Sequence, residues 1–133
     1  MVEASIVLSI FFVLVLGMIE MSQMGLTSQL LASAANAGCR VAVINGHTQS
    51  DVNNAVANIL ASGGISSSSY TLTTMTLPPS PLSPSTDITT AHLGDGITVT
   101  ISVPFSKISW FGTPIYLGSA NIVSSATMSS QRP

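Results

Sequence analysis

The feature that most constrains this chain is an uninterrupted apolar segment near its N-terminus. Residues 4–19, ASIVLSIFFVLVLGMI, carry no charge and lie between Glu3 and Glu20. With a rise of 1.5 Å per residue, a helix over this run is about 24 Å long, slightly less than the ~30 Å hydrocarbon core of a bilayer. Because the run is apolar on every side, it predicts a helix surrounded by lipid or by other helices.

The helix is predicted to continue beyond this run as an amphipathic segment. The first proline is Pro78 and Asn45-Gly46 is a stop signal, so one helix is predicted over about 2–44. Such a helix is about 60 Å long, more than the rest of the chain can cover, so part of it must be buried in lipid or against other copies. The apolar stripe contains Leu26, Leu30, Ala34, Ala37 and Val41, and the polar stripe contains Gln29, Ser33, Asn36 and Arg40.

The sequence after residue 46 predicts a short helix followed by strands. Thr48 or Ser50 can cap this helix, and Gly63-Gly64 ends it. Beyond it the period of the apolar residues changes from 3.6 to 2, which is typical of strands with one buried face. The predicted strands lie at residues 70–77, 97–105 and 116–128, separated by a Pro/Ser loop at 78–87 and a turn at 94–96.

These segments together predict an α+β fold with two parts. Residues 1–46 form the long helix, and residues 47–133 form a small head. The head is predicted to contain the short helix and a three- to four-stranded antiparallel sheet that packs on the amphipathic half of the long helix.

The composition excludes several classes of protein. Charged residues make up 6% of the chain and hydrophobic residues 46%, whereas ordinary soluble domains have roughly 25% charged residues. Three basic residues and a net charge of −2 leave no basic surface for a phosphate backbone, so no nucleic-acid partner is expected. Disordered chains combine low hydrophobicity with high charge, which is the opposite pattern. A membrane-linked, secreted or self-assembling protein remains.

The titratable residues form no recognisable catalytic or cofactor-binding set. His47 and His92 lie beside predicted turns and are expected to be solvated rather than metal ligands. A calcium site at Asp87 and 94–96 is the less favoured alternative to a plain turn, because the acidic ladder of known calcium loops is missing. We therefore expect a protein that is not an enzyme and has no cofactor and no metal.

No basic residue precedes Arg40. A cytoplasmic N-terminus next to a membrane helix normally carries Lys or Arg, and so does the start of a signal peptide. We therefore expect either that the numbering begins after a removed basic leader or that the true start lies upstream.

Three segments near the N-terminus occur in a recognisable order. They read VEASIVLS from Val2, GMIEMS from Gly17 and AANAGCRV from Ala34. They resemble the VEFALVLP-like, GIIEFGR-like and AAREGARYAA-like segments of the TadE-like family, type IV pilin relatives of the tight-adherence systems. The stretch at 94–105 and the ending at 122–129 also resemble the C-terminal hairpin of that family. The chain differs in having its first glutamate at the third position rather than the fifth, and no basic residue after GMIE.

The resemblance implies a structural, pilin-like subunit. Such a subunit is held in the inner membrane as a single-pass precursor and then polymerises helix to helix into an extracellular, adhesive filament. The expected partners are further copies of the chain, a prepilin peptidase and the pilus assembly machinery. The alternative is a minor pseudopilin or a bitopic membrane component of a Tad-type apparatus. A small hydrolase or ligand-binding domain on a membrane tether is the least favoured class.

Three charged residues are predicted to act between subunits. Glu3 can offset the free amino group of an adjacent subunit and the positive end of the helix dipole; a solvated interfacial carboxylate is the alternative. Glu20 ends the apolar run, where a carboxylate is costly unless it is partnered. Arg40 lies about 30 Å further along the helix, so the two can pair only between chains; a solvated face or an internal pair is the alternative for Arg40. The residues predicted to line the polymerisation surface are Ile6, Val7, Ile10, Phe11, Val13, Leu14 and Met18.

Two further predictions concern side-chain chemistry. Cys39 lies among small residues and is predicted to pack in a core, with an intermolecular disulfide as the alternative. There is no Asn-x-Ser/Thr acceptor, but serines and threonines of the head are candidates for O-linked sugars on a filament surface. These candidates are Ser66, Ser67, Ser68, Ser69, Ser83, Ser85 and Thr86.

Overall fold

The computed structural model describes residues 2–78, 83–110, 114 and 116–133. It confirms the predicted α+β fold, with a long helix, a short helix and an antiparallel sheet of three strands. The elements are α1 (Val2–Val43), α2 (Gln49–Ser62), β1 (Thr71–Leu77), β2 (Gly96–Pro104) and β3 (Asn121–Ser129), with short 3₁₀ helices at Ile88–Thr90 and Phe105–Lys107.

Helix α1 has two halves with different surroundings. No residue in its most apolar 18-residue window is buried, and this helix is long and apolar enough to cross a membrane. Beyond Glu20 the helix packs on the head, where Leu31, Ala34, Ala35 and Cys39 are fully buried. The small residues of the amphipathic half let the backbone of α1 lie close to the sheet, because their side chains place few atoms between the helix and the strands.

Helix α2 begins at the cap predicted for Thr48. The Thr48 backbone N–H donates to Asp51 Oδ2 at 2.7 Å, and the Thr48 hydroxyl donates to the same oxygen at 3.0 Å. At the other end, Gly64 has a φ of +79°, and the Ile65 N–H donates a hydrogen bond to the Leu60 carbonyl at 3.0 Å. A positive φ strains any residue with a Cβ, so glycine suits the stop that the sequence predicts.

Strand β2 is the centre of the sheet and pairs antiparallel with β1 and β3. Buried and partly exposed residues alternate along β2 as predicted, and every second residue is fully buried against the helices. The thiol of Cys39 lies in this core and donates to the Ala126 carbonyl of β3 at 2.9 Å, which confirms the core position predicted for it. The buried residues of β2 are Ile97, Val99, Ile101 and Val103.

The last strand begins later than the sequence predicts. β3 starts at Asn121, and the Phe105 N–H donates to the Ala120 carbonyl at 2.8 Å just before the ladder begins. Tyr116 does not join the sheet, because its backbone N–H donates to Glu20 of α1. The Pro/Ser loop predicted at 78–87 lies partly outside the described residues, and within it Ser85 bridges to Thr76 of β1.

Candidate functional site

The apolar half of α1 forms a continuous exposed surface. The seven residues predicted for polymerisation are each between 48% and 67% exposed. An exposed apolar surface along a whole helix face is far larger than the patches of ordinary soluble monomers, and it marks a surface for lipid or protein. The structure places all seven together on this helix: Ile6, Val7, Ile10, Phe11, Val13, Leu14 and Met18.

Glu3 lies in the first turn of α1 and is exposed. A carboxylate at this position interacts favourably with the positive end of the helix dipole. An exposed charge beside the N-terminus can also be reached by another chain. The geometry therefore suits the contact predicted for Glu3, and its role between subunits stays a prediction.

Glu20 is fully buried within its own chain. Its Oε2 accepts a hydrogen bond from the Tyr116 backbone N–H at 3.1 Å. The Tyr116 ring lies over Gly17, and its hydroxyl is 3.5 Å from the Val13 carbonyl oxygen. The cost of a carboxylate at the edge of an apolar run is thus offset in part inside the protomer. The sequence predicted that Glu20 needs a partner, but nothing in it pointed to Tyr116.

Arg40 is exposed near the end of α1, beside Ser33, Asn36 and Met128. The side chain is open to another chain. Pairing with Glu20 of a second copy stays a prediction, and it requires the groups that cover this carboxylate to move, because Glu20 has no exposed surface in the structure.

The β2–β3 connection lies against α1 at the end of the apolar run. We call its described part, residues 105–110, 114 and 116–120, the neck loop. Phe105 anchors it in the core, and Trp110 at the other end of the first stretch is 82% exposed. A methyl group on Gly17 would lie 3.3 Å from the Tyr116 ring, so the loop and helix approach each other closely here.

Gln23 lies under the neck loop and is buried, although it is an amide. Neither its Nε2 nor its Oε1 has a hydrogen-bond partner among the described residues. A buried amide without partners costs about 1–3 kcal/mol. Nothing in the sequence indicates this burial, because Gln23 follows the apolar run at a position where a polar residue is expected to face water.

A comparison with known families finds a match over the stalk helix. Residues 1–40 match the family model for TadE-like proteins. The match covers 40 of the 133 residues and confirms the resemblance carried by the N-terminal segments. No curated protein and no solved structure matches the chain.

The TadE-like segment coincides with the exposed helix. It covers the whole apolar half of α1 and most of the half that packs on the head. The family is a structural, pilus-associated one, so the match and the membrane-capable helix fit a pilin-like component of a Tad pilus. The head, with its neck loop, is the part that the family match does not cover.

The aspartates of the head make local structural hydrogen bonds. The Thr48 N–H and hydroxyl, together with His47, lower the pKa of Asp51, and the hydroxyl and N–H of Thr89 lower the pKa of Asp87. Asp95 is buried in its turn and accepts from the His92 N–H at 2.8 Å. Within the described parts of the chain, no group of three or more His, Cys, Asp or Glu side chains comes together to hold a metal ion.

The candidate O-glycosylation residues lie on the surface of the head. Ser66 and Ser69 share a hydrogen bond of 2.8 Å between their hydroxyls. Ser69 and Ser85 are half-buried, which leaves them less open to an enzyme than the other five. Glycosylation itself stays a prediction. The exposed candidates are Ser66, Ser67, Ser68, Ser83 and Thr86.

Proposed function

We propose that this chain is a structural pilin-like subunit that polymerises through the apolar half of α1 into an extracellular filament. The main support is the coincidence of the TadE-like match with a helix whose most apolar window is entirely unburied. Transfer of an apolar side chain out of water lowers the free energy by about 25 cal/mol for each Å² of apolar surface that is buried. The apolar half of α1 therefore needs a non-aqueous environment along its length.

Two such environments follow one another in this proposal. The helix is first held in the inner membrane as a single-pass precursor, where lipid surrounds it. The assembly machinery and a prepilin peptidase then transfer it into a bundle of like helices, with the heads outside and available for adhesion. A helix that is apolar on all sides suits both surroundings, whereas a single stripe would suit only one partner.

Glu3 is the residue proposed to guide assembly. In the bundle its carboxylate would lie near the amino group of an adjacent subunit, where it offsets that positive charge. Replacing Glu3 by Gln keeps the size and removes the charge. We expect Glu3→Gln to lower the yield of sheared filaments strongly while membrane insertion is retained, and Glu3→Asp to keep most of the yield.

The experiment compares these two variants by electron microscopy of sheared surface material and by membrane fractionation. A normal filament yield for Glu3→Gln would remove the role given to Glu3. Abundant protein in the sheared material, without filaments that contain it, would show that the proposal of a structural subunit is wrong.

One observation favours the second candidate, a minor pseudopilin or a bitopic component of the assembly apparatus. The neck loop covers part of α1 between residues 13 and 26, and a tight bundle of identical helices needs that surface. A component present in few copies does not need it. The stoichiometry of purified filaments separates the two candidates, because a major subunit must outnumber every other component.

A further inference from the structure

The neck loop holds Trp110 at the end of the apolar run. This is the sole tryptophan of the chain, and it lies beside Ile19, Ser22 and Leu26 of α1 while most of its ring faces outward. Lys107, three residues earlier in the same loop, is also exposed. An exposed indole and an ammonium group thus occur together where the stalk meets the head.

Described residues of the loop lie on two different sides of α1. Tyr116 lies over the side that carries Val13 and Gly17, and Trp110 borders an open groove on the side that carries Ile19 and Leu26. At about 100° per residue these positions are well over a quarter turn apart around the helix. Trp110 therefore lies at the height of Ile19 to Leu26 along the helix axis.

That height matches the boundary of a bilayer. Exposed apolar side chains continue past Glu20 to Met21 and Leu26, so the apolar surface from Val2 to Leu26 is about 36 Å long. The hydrocarbon core is about 30 Å thick, and the headgroup regions bring the total to about 40–45 Å. With the apolar run in the hydrocarbon, Trp110 lies where hydrocarbon gives way to headgroups.

We propose that Trp110 and Lys107 anchor the chain in the headgroup region of an anionic bilayer while it is stored in the membrane. This rests on the membrane stage of the proposed function. Tryptophan favours this region because its ring is apolar and its N–H finds polar partners. Lysine contributes there by placing its ammonium group among anionic headgroups. The buried Glu20 carboxylate adds no exposed negative charge that would oppose this contact.

The charges favour lipid over a second copy as the occupant of this surface. A neighbouring stalk at the same height would offer Lys107 no accessible carboxylate, because Glu20 is buried and Glu3 lies about 25 Å away along the helix. The phosphates of anionic lipids supply the missing negative charge. The headgroup region of an anionic bilayer thus suits both the indole of Trp110 and the ammonium group of Lys107.

The fluorescence of Trp110 tests the proposal without a label. The full chain is reconstituted in vesicles of phosphatidylcholine with phosphatidylglycerol. We expect a blue shift of the emission, a severalfold fall in quenching by iodide, and stronger quenching by lipids brominated near the headgroup than by lipids brominated near the terminal methyl. In Lys107→Gln, iodide quenching should rise on anionic vesicles and stay unchanged on phosphatidylcholine alone.

A matched control moves the indole to the head. Trp110→Phe combined with Val123→Trp places the sole tryptophan at an exposed position of β3, where its emission should stay red-shifted and accessible to iodide. The proposal is overturned if the chain floats with vesicles but Trp110 is as accessible as this control. It is also overturned if protection of Trp110 grows with the protein-to-lipid ratio and ignores brominated lipid, which would assign the surface to a second copy. Failure to float at all would instead overturn the membrane stage of the proposed function.

Discussion

The guanidinium of Arg132 closes the C-terminal end of α1 by donating to the Ala42 carbonyl, from Nη2 at 3.1 Å and from Nε at 3.3 Å. Nη2 also donates to the His47 carbonyl at 2.7 Å, and the side chain is buried. The last carbonyls of a helix have no partner within it and carry partial negative charge. The end of the chain therefore fixes the end of the stalk helix to the head.

Replacing Arg132 by Met should destabilise the head. The substitution removes the donors to the Ala42 and His47 carbonyls, and hydrogen bonds to a charged group contribute about 1.5–3 kcal/mol. We expect the free energy of unfolding to fall by about 2–3 kcal/mol, measured by urea denaturation in detergent. Arg40→Met, on the exposed side of the same helix, is the control and should change it by less than about 0.5 kcal/mol. Equal effects of the two changes would show that the buried contacts do not matter.

Removing the Glu20 carboxylate should loosen the neck loop. In Glu20→Leu the Tyr116 N–H loses its acceptor, so this hydrogen bond between the loop and α1 is lost. Trypsin cleavage after Lys107 reports on the loop directly, because this is its sole basic residue. We expect that cleavage to become severalfold faster, while Met21→Ala, an exposed neighbour, leaves it unchanged. Unchanged cleavage in Glu20→Leu would mean that other contacts hold the loop.

Replacing Gln23 by Met should stabilise the protein. The amide is buried without a partner among the described residues, and an apolar side chain of similar shape avoids its desolvation cost. We expect the free energy of unfolding to rise by about 1 kcal/mol. Gln29→Met, at an exposed position of α1, is the control and should have little effect. A loss of stability in Gln23→Met would indicate that the amide is partnered in solution.

Acid should remove the contribution of the Asp51 cap. The N–H and hydroxyl of Thr48 lower the pKa of Asp51 in the folded protein, so this group stabilises the fold above its unfolded pKa of about 3.9. That contribution is lost as the pH falls through the lower folded pKa. The melting temperature of the wild type should therefore exceed that of Asp51→Asn at pH 7, and the difference should shrink below about pH 4. Asn54→Ala, on the same helix, should show no such pH dependence.

Local patterns predicted the fold well because they reflect local physics. The absence of proline before Pro78 and the Asn45-Gly46 stop set the bounds of α1, and strict alternation set β2. The contacts of the site were not predictable in this way. Glu20 and Tyr116 are 96 positions apart, and a pairing of that range depends on how the head sits on the stalk. A basic residue near the end of the chain likewise indicates nothing until the helix end beside it is known.

Cys39 should be chemically inert in the folded protein. The thiol is fully buried in the head, outside the apolar run, and burial raises its pKa while the Val99 backbone opposes the shift. Since the thiolate is the reactive form, alkylation by iodoacetamide should be more than about a hundredfold slower in the native state than in urea. Ser33→Cys in a Cys39→Ala background places an exposed thiol on the same helix and should react rapidly without urea. A disulfide-linked dimer of the wild type under native conditions would show instead that the core opens and that Cys39 joins subunits.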